Sequence, residues 1–383
     1  MKSHPLPVHH EPTRVRRMLQ VAELVRYRLE YRQRLAALRL TVASEGTSRL
    51  TRAERQSVRA HWRQYGIRFL SLEWYRLFKA LLGHVDPRFI PEETFRTRIE
   101  PMLCRQSVSA AYHDKNQLDR QFPELLRPAT VLRNIYGHYY DADYRPLARS
   151  QALPRLQARP GALFLKPAIS GTGSGHNVAR VTAEPDGVRF GDRVLSLAEL
   201  ENIYVQDFLV QEGVVQHETL ARFYTGSLNT IRLITLRLAD QIIPLAGTFR
   251  MGNGSHVDNG HAGGLLCGVR LTDGQLTDFA CDVAFRRHQE HPLSRVPFAG
   301  QHIPSIHRIV AMASAVHQRL PYFDQISCDI AVLPDGNPCL IEVNTFGQGI
   351  EPHQFLKGAP LFGEHTVAVL ELVARRERSG WNA

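Results

Sequence analysis

Lysine is scarce in this 383-residue chain: of 47 basic residues, Lys2, Lys79, Lys115, Lys166 and Lys357 are the lysines and the rest are arginine. Such a drift toward arginine spares lysine mainly where a compact, strongly hydrated point charge is required, so each one left carries information. Cysteine is scarce too. Cys104, Cys267, Cys281, Cys328 and Cys339 are odd in number, scattered and never spaced as CxxC, which argues against a disulfide framework or a zinc site and for buried reduced thiols. No apolar run is long enough to span a bilayer, and Met1 to Pro12, rich in His and Pro, lacks the hydrophobic stretch of a secretory leader, so a cytoplasmic address is expected. There is no internal repeat and no low-complexity tract.

What is present is an uneven net charge of +10. Basic residues heavily outnumber acids between Met1 and Ala80, and the remainder is close to balanced. From Arg14 to about Val42, Leu19, Val21, Leu24, Val25, Leu29, Leu35, Leu38 and Leu40 form an apolar stripe between arginines, the pattern of an amphipathic helix. A second helix is expected from Thr51, where Thr51 and Glu54 have capping-box spacing, and a third over Leu70 to Leu82. Such helices could meet anionic lipid as a peripheral membrane contact, or acidic polysaccharide or nucleic acid. Nucleic acid is disfavoured because no aromatics interleave with the arginines to stack bases, and a solvated helix face is the plainer reading.

The length allows roughly two to three domains. The expected organisation is a helical region over 1–110 and a segment over 111–160 in which Asp114 to Tyr140 continues helical and then passes through the Pro-bearing connection Arg127-Pro128-Ala129-Thr130 into an irregular stretch ending near Pro160. An α+β part follows, with short β-type runs at Ala162 to Leu165, Val178 to Thr182, Tyr204 to Leu209, Leu228 to Leu238 and Gln241 to Phe249. A helix over Ser305 to Arg319 precedes two strands, Cys328 to Leu333 and Cys339 to Val343, joined by Pro334-Asp335-Gly336-Asn337-Pro338.

Glu342 and Asn344 are two apart on a strand, so their side chains leave the same face. A hairpin closing symmetrically about Asp335-Gly336 puts Asp329 opposite Glu342. Two carboxylates and an amide on rigid strands suit a hard cation that keeps waters and takes phosphate ligands, with Mg2+ the natural occupant; an exposed acidic hairpin face is the competing reading.

Lys166 ends an apolar strand and is followed by Pro167 and then Ser170-Gly171-Thr172-Gly173-Ser174-Gly175, a combination suited to polyphosphate, although the glycines alone could equally be a flexible linker. It matches neither the P-loop nor the dinucleotide-binding glycine pattern. Arg232 interrupts the apolar run Leu228 to Ile234, and Arg250 ends the next strand; arginines so placed want an anionic partner, whether a ligand or a nearby acid. Asn259-Gly260-His261-Ala262-Gly263-Gly264 is polar and glycine-rich, suited to a loop closing on a ligand.

The order Lys115, Lys166 with its glycine loop, Gln206-Asp207-Phe208-Leu209, Arg232, Arg250, Asn259, then Asp329, Glu342 and Asn344 resembles the ATP-grasp superfamily. More narrowly, Leu228 to Ile234, Asp258 to Gly264, His291-Pro292, Ile303-Pro304 and the final hairpin resemble the sugar-transfer-associated ATP-grasp family; Glu342-Val343-Asn344 is also similar to the ending of glutamate ligases that modify ribosomal protein tails. The resemblance runs from about Asp114 to the C-terminus. It implies an α+β class, two α+β subdomains clamping ATP behind an all-helical N-terminal region, with 111–160 a pre-grasp segment, 161–227 the small subdomain and 228–383 the large one.

The same resemblance implies Lys115, Lys166, Ser170, Gly171, Gly173 and Gly175 at the ATP phosphates, Gln206, Phe208 and Leu209 in the adenine hinge, and Glu212 at the ribose. It implies Mg2+ on Asp329, Glu342 and Asn344, catalytic roles for Arg232 and Arg250, and substrate contacts from Asn259, His261, Gly263 and Gly264. The implied activity is an ADP-forming carboxylate–amine ligase working through an acyl phosphate, on a small-molecule carboxylate and an amine or sugar-linked acceptor, in cell-surface sugar or peptide-type metabolite assembly. A phosphotransferase on the same fold, or a non-catalytic protein binding anionic surfaces, are the alternatives.

Overall fold

The computed structural model describes residues 49–68, 70–159, 161–169, 178–205, 207–254, 258 and 263–379, together with position 25. The helix expected over 14–42 therefore lies, but for that position, outside the described residues. Two compact units divide the chain, Met1–Arg105 with Gly358–Ala383, and Gln106–Lys357.

In the first unit the capping box forms: Glu54 N donates to Thr51 Oγ1 (3.1 Å) and Thr51 N to Glu54 Oε2 (2.6 Å). It starts the helix Arg52–Arg63, and a second helix, Glu73–Leu82, ends at Gly83, whose φ of 80° is the left-handed cap glycine takes without strain. Their buried faces supply Trp62, Trp74, Tyr75 and Phe78, and Phe89 stacks on Phe78. Buried acids here have local partners: Arg96 neutralises Glu92 (3.0 Å) and Glu100 (3.2 Å), and Trp74 Nε1 donates a hydrogen bond to Glu93 (2.8 Å).

In the second unit two antiparallel sheets form. The first joins β1 (Thr130–Ile135), β2 (His138–Tyr140), β3 (Pro146–Leu147), β4 (Leu163–Pro167), β5 (Ala179–Glu184), β6 (Gly187–Phe190), β7 (Arg193–Leu195) and β8 (Phe208–Glu212) in the order β3-β2-β1-β8-β4-β5-β6-β7. The second joins β9 (Thr230–Leu238), β10 (Gln241–Met251), β11 (Leu265–Val269), β12 (Leu276–Cys281), β13 (Arg287–His288), β14 (Gln325–Val332) and β15 (Pro338–Asn344) in the order β13-β12-β11-β10-β9-β14-β15.

Three expectations change here. The segment before 160 is not irregular, because β1 and β2 form a hairpin through Tyr136-Gly137, both at positive φ (52° and 80°), as a two-residue turn demands. Alternation does not betray β1, since Arg133 and Asn134 are as buried as Val131 and Leu132. The sheet also takes strands from both sides of residue 160, and residues 358–383 belong with the helical unit rather than with the second sheet. Finally, the run expected from Tyr204 begins as a strand only at Phe208, after a helix Leu197–Ile203 that Ser196 caps.

Alternation along the first sheet sorts its faces. Leu163, Leu165, Phe208 and Val210 share a core with Ala152 and Leu156 of the helix Arg149–Gln157 and with Leu200. Phe164 and Lys166 leave the opposite face, alongside their register partners Gln211 and Leu209. In the second sheet, the helix Ile306–Gln318 packs Ile309, Ala313 and Val316 on one face, where His317 meets Thr235. The other face carries polar side chains, and the helix Glu351–Lys357 packs against part of it, with His353 meeting Thr248 Oγ1 at 2.7 Å.

Candidate active site

On that face one row crosses four strands: Thr248, Arg232, Asp329 and Glu342 are successive register partners on β10, β9, β14 and β15. The expected pairing of Asp329 with Glu342 is present, but by another route. Val332 faces Pro338 and Ile330 faces Leu340, so the turn centres on Asp335, and one extra residue in β15, Ile341, restores the register at Glu342. A bulge of this kind turns two successive side chains toward the same side, and Ile341 and Glu342 indeed both line the cavity described below.

Both oxygens of Asp329 are engaged. Arg232 donates from Nε to Oδ1 (2.7 Å) and from Nη2 to Oδ2 (2.6 Å), and Arg250 Nη1 donates to Oδ2 (2.6 Å). Burial acts to raise this carboxyl, but the two guanidinium groups outweigh it and hold Asp329 well below the usual carboxylate range. Arg250 Nη2 also lies 3.5 Å from Asp258, whose other oxygen accepts from Thr230 Oγ1. Burial leaves the Asp258 carboxyl raised in spite of Arg250.

The opposing groups come from the first sheet and the segment before it. Asp114 accepts Asn116 N (2.9 Å), and Lys115 N donates to Ala168 O (2.9 Å), tying this short helical turn to the end of β4. Lys115 Nζ then sits 3.0 Å from Glu342 Oε1. Burial acts to raise the Glu342 carboxyl, and the Lys115 ammonium reverses that to a net lowering. Lys166 Nζ donates to Gln211 Oε1 (2.9 Å); burial and then the nearby Lys115 ammonium push its pKa down to about 8.

Lys115, Lys166, Arg232, Arg250, Asp329 and Glu342 thus line one cavity of ≈ 630 Å³. The lining also includes the apolar side chains of Phe164, Val178, Val214, Val215 and Ile341. A lining that mixes cationic and apolar groups suits a ligand that is itself part anionic and part apolar.

Not every expected residue reaches it. Glu212 lines the cavity at the end of β8, 3.2 Å from Arg159. Phe208 and Leu209 do not: both are fully buried strand residues, and Phe208 packs on Tyr139 and Tyr204 in the core. The chain lines the cavity from the last residue of β8 onward, along Glu212 to Gln216. Gly213 fits there because a Cβ would come within 3.1 Å of Ala162 O and 3.2 Å of Phe164. Asn344 sits at the end of β15 opposite Ser327, and neither it nor Gly263 and Gly264 lines the cavity. Ser170, Gly171, Gly173, Gly175, Gln206, Asn259 and His261 lie outside the described residues. Phe164, Gln211 and Asp258 were missed as site residues, and the period of two from Lys166 was signal enough for Phe164.

Among the described residues no group of three or more His, Cys, Asp or Glu is placed to hold a metal ion. A cation at Asp329 and Glu342 must therefore draw on an amide, water or a bound anion as well. Asn344, next along that face of β15, has a buried Nδ2 without a hydrogen-bond partner, so its amide is uncommitted on that arm. The all-oxygen set of two carboxylates and an amide fits Mg2+.

The family model for sugar-transfer associated ATP-grasp proteins matches residues 134–369, more than half of the chain. The chain belongs to that family. Its fold is the α+β ATP-grasp fold, and of the two lysines Lys166 falls inside the matched span while Lys115 precedes it. Solved structures similar to this ATP-grasp protein include an L-amino acid ligase from Bacillus licheniformis (14% identity, 68% of this chain and 48% of that one, TM-score 0.36). Others are the VanG D-Ala:D-Ser ligase from Enterococcus faecalis (13%, 71% and 64%, TM-score 0.42) and the ATP-grasp ligase PsnB with precursor peptide and AMPPNP (11%, 70% and 62%, TM-score 0.39). The chain spans about half to just under two thirds of the length of these proteins. Among curated protein sequences none matches it. No helix among the described residues is long and apolar enough to cross a membrane.

Proposed function

We propose that this ATP-grasp protein is an ADP-forming ligase that joins a carboxylate to an amine through an acyl phosphate. The observation that carries the reading is the convergence, in one cavity, of two lysines from one side and an arginine–carboxylate row from the other. In the reaction a carboxylate oxygen of the substrate attacks the γ-phosphorus of ATP, the bond to the β,γ-bridging oxygen breaks, and ADP leaves. The amine then attacks the acyl carbon, a C–N bond forms, the amine gives up a proton, and inorganic phosphate departs.

Lys115 and Lys166 would hold the polyphosphate as point charges, and the stretch Glu212 to Gln216 would take the base and ribose. Asp329, Glu342 and Asn344 would hold Mg2+, which would supply charge neutralisation at the phosphates. Arg232 and Arg250 line the cavity beside Asp329 and would hold the transferred phosphoryl and the oxyanion formed on amine attack, so that positioning and electrostatics provide most of the acceleration. No side-chain nucleophile is needed. A small-molecule acid and an amine or sugar-linked acceptor are the proposed substrates, and the family's description motivates the link to sugar transfer.

The test is hydroxylamine trapping. With pooled carboxylates, ATP and Mg2+, the ligase reading expects a hydroxamate together with ADP, absent from Glu342→Ala. ADP release with phosphate retained on an acceptor and no hydroxamate would replace it with a phosphotransferase.

A further inference from the structure

One row away from Asp329 and Glu342, on the same face of the second sheet, Ser327 on β14 faces Asn344 on β15. Both are deeply buried, Ser327 fully and Asn344 with 9% exposed. Ser327 Oγ and Asn344 Nδ2 are each without a hydrogen-bond partner among the described residues, so each can take one up. The other neighbour of Ser327 in its row, Ile234 on β9, offers no polar side chain.

Directly opposed residues on adjacent strands have Cβ atoms roughly 4.5–5.5 Å apart, so a change of χ1 brings a serine hydroxyl within reach of the facing carboxamide. The carboxamide is the reason this matters. Its two arms differ in sign: Oδ1 can bind a cation, and Nδ2 with its two hydrogens repels one. Nothing in Asn344 itself decides which arm faces the Asp329–Glu342 pair.

We infer that Ser327 is a positioning residue for Asn344: its hydroxyl accepts a hydrogen bond from Nδ2 when the site is loaded, turning Oδ1 toward the carboxylates. This rests on the reading of Asp329, Glu342 and Asn344 as the cation's ligands. A hydroxyl on the strand behind a ligand then does what partners of metal ligands do generally, fixing orientation without touching the ion.

The experiment uses the full chain with ADP and Mn2+, following free Mn2+ by the loss of its electron paramagnetic resonance signal, and compares wild type with Ser327→Ala, Ser327→Thr and Ser327→Val. Threonine and valine match in shape and differ in the hydroxyl. The expected result is Mn2+ affinity weakened about 10-fold or more in the alanine and valine variants and restored by threonine. Binding of a fluorescent ADP analogue in EDTA should be equal in all four, which also shows that each variant is folded. Equal Mn2+ affinity of wild type and Ser327→Val overturns the inference and leaves the cation site standing. Failure of wild type to bind Mn2+ with ADP overturns the cation site and the inference with it.

Discussion

Lys115 Nζ lies 3.0 Å from Glu342 Oε1, joining the short turn that follows the helix Gln106–His113 to the last strand of the second sheet. The contact makes Lys115 a placeholder as well as a phosphate ligand in the proposed reaction, because its ammonium neutralises a partly buried carboxylate until a nucleotide and cation arrive. Glu342→Gln keeps the shape and removes the charge. ATP turnover should fall by about 100-fold or more, on the scale of removing one preorganised electrostatic group. Steady-state ADP release measures it, and activity within threefold of wild type would remove Glu342 from the mechanism.

Lys166 gives the site a pH signature. Its pKa of about 8, set by burial and then by Lys115, means the ammonium is partly discharged at mildly alkaline pH. A bound triphosphate favours the charged form and raises that pKa, so nucleotide binding near pH 8 should take up a proton. Nucleotide affinity should weaken as pH rises through about 8. The sign for stability is the reverse of a salt-bridged lysine: the depressed pKa costs stability below about 8, and the cost is relieved as pH rises toward the unfolded value near ~10.4. Calorimetry of ADP binding in buffers of different ionisation enthalpy reads the proton directly, and no buffer dependence at pH 8 in wild type would contradict this.

Much of the site was legible because strands make sequence spacing geometric. Glu342 and the pairing with Asp329 follow from alternation and hairpin closure, Lys166 stands out as a scarce lysine ending an apolar strand, and Thr51 with Glu54 marks a helix start through local hydrogen bonds alone. What escaped depends on contacts distant in sequence. β1 carries Arg133, whose guanidinium is held by Asn116 O (2.9 Å) and by Asp119, so a strand that is apolar in its burial does not look apolar in its composition. The expected hinge met a similar obstacle: Gln206 to Leu209 has the right residue types, but Phe208 is claimed by the core and the cavity lining on this strand starts at Glu212. The bulge at Ile341 was invisible as well, since the turn and the bulge offset each other in register.

The Arg250 cluster tests how a buried charge is balanced. Arg250 bridges Asp329 and Asp258, and its guanidinium pKa is raised because those two carboxylates outweigh the effect of burial. Arg250→Met should destabilise the fold by about 3 kcal/mol, the scale for leaving a buried charge without its partner. Adding Asp258→Asn should recover part of that loss, because it removes the carboxylate left without a guanidinium, whereas Asp329 keeps Arg232. Urea unfolding of the four members of the cycle gives the coupling; strict additivity would mean the two groups do not interact.

Phe208 and Ile341 separate fold from site. Phe208 is fully buried among Tyr139 and Tyr204, whereas Ile341 is partly exposed and lines the cavity, turned there by the bulge. Phe208→Ala should therefore cost about 3–5 kcal/mol of stability, as large aromatic truncations in cores do, and leave nucleotide affinity of the folded fraction near wild type. Ile341→Ala should do the opposite, weakening adenine nucleotide binding by roughly 10-fold through lost apolar contact, for about 1.4 kcal/mol, while its melting temperature moves little. Thermal melts and fluorescent-nucleotide titrations of both variants decide the matter. If Phe208→Ala loses affinity at temperatures where it is folded, the hinge belongs at 206–209 after all and the stretch Glu212 to Gln216 has another use.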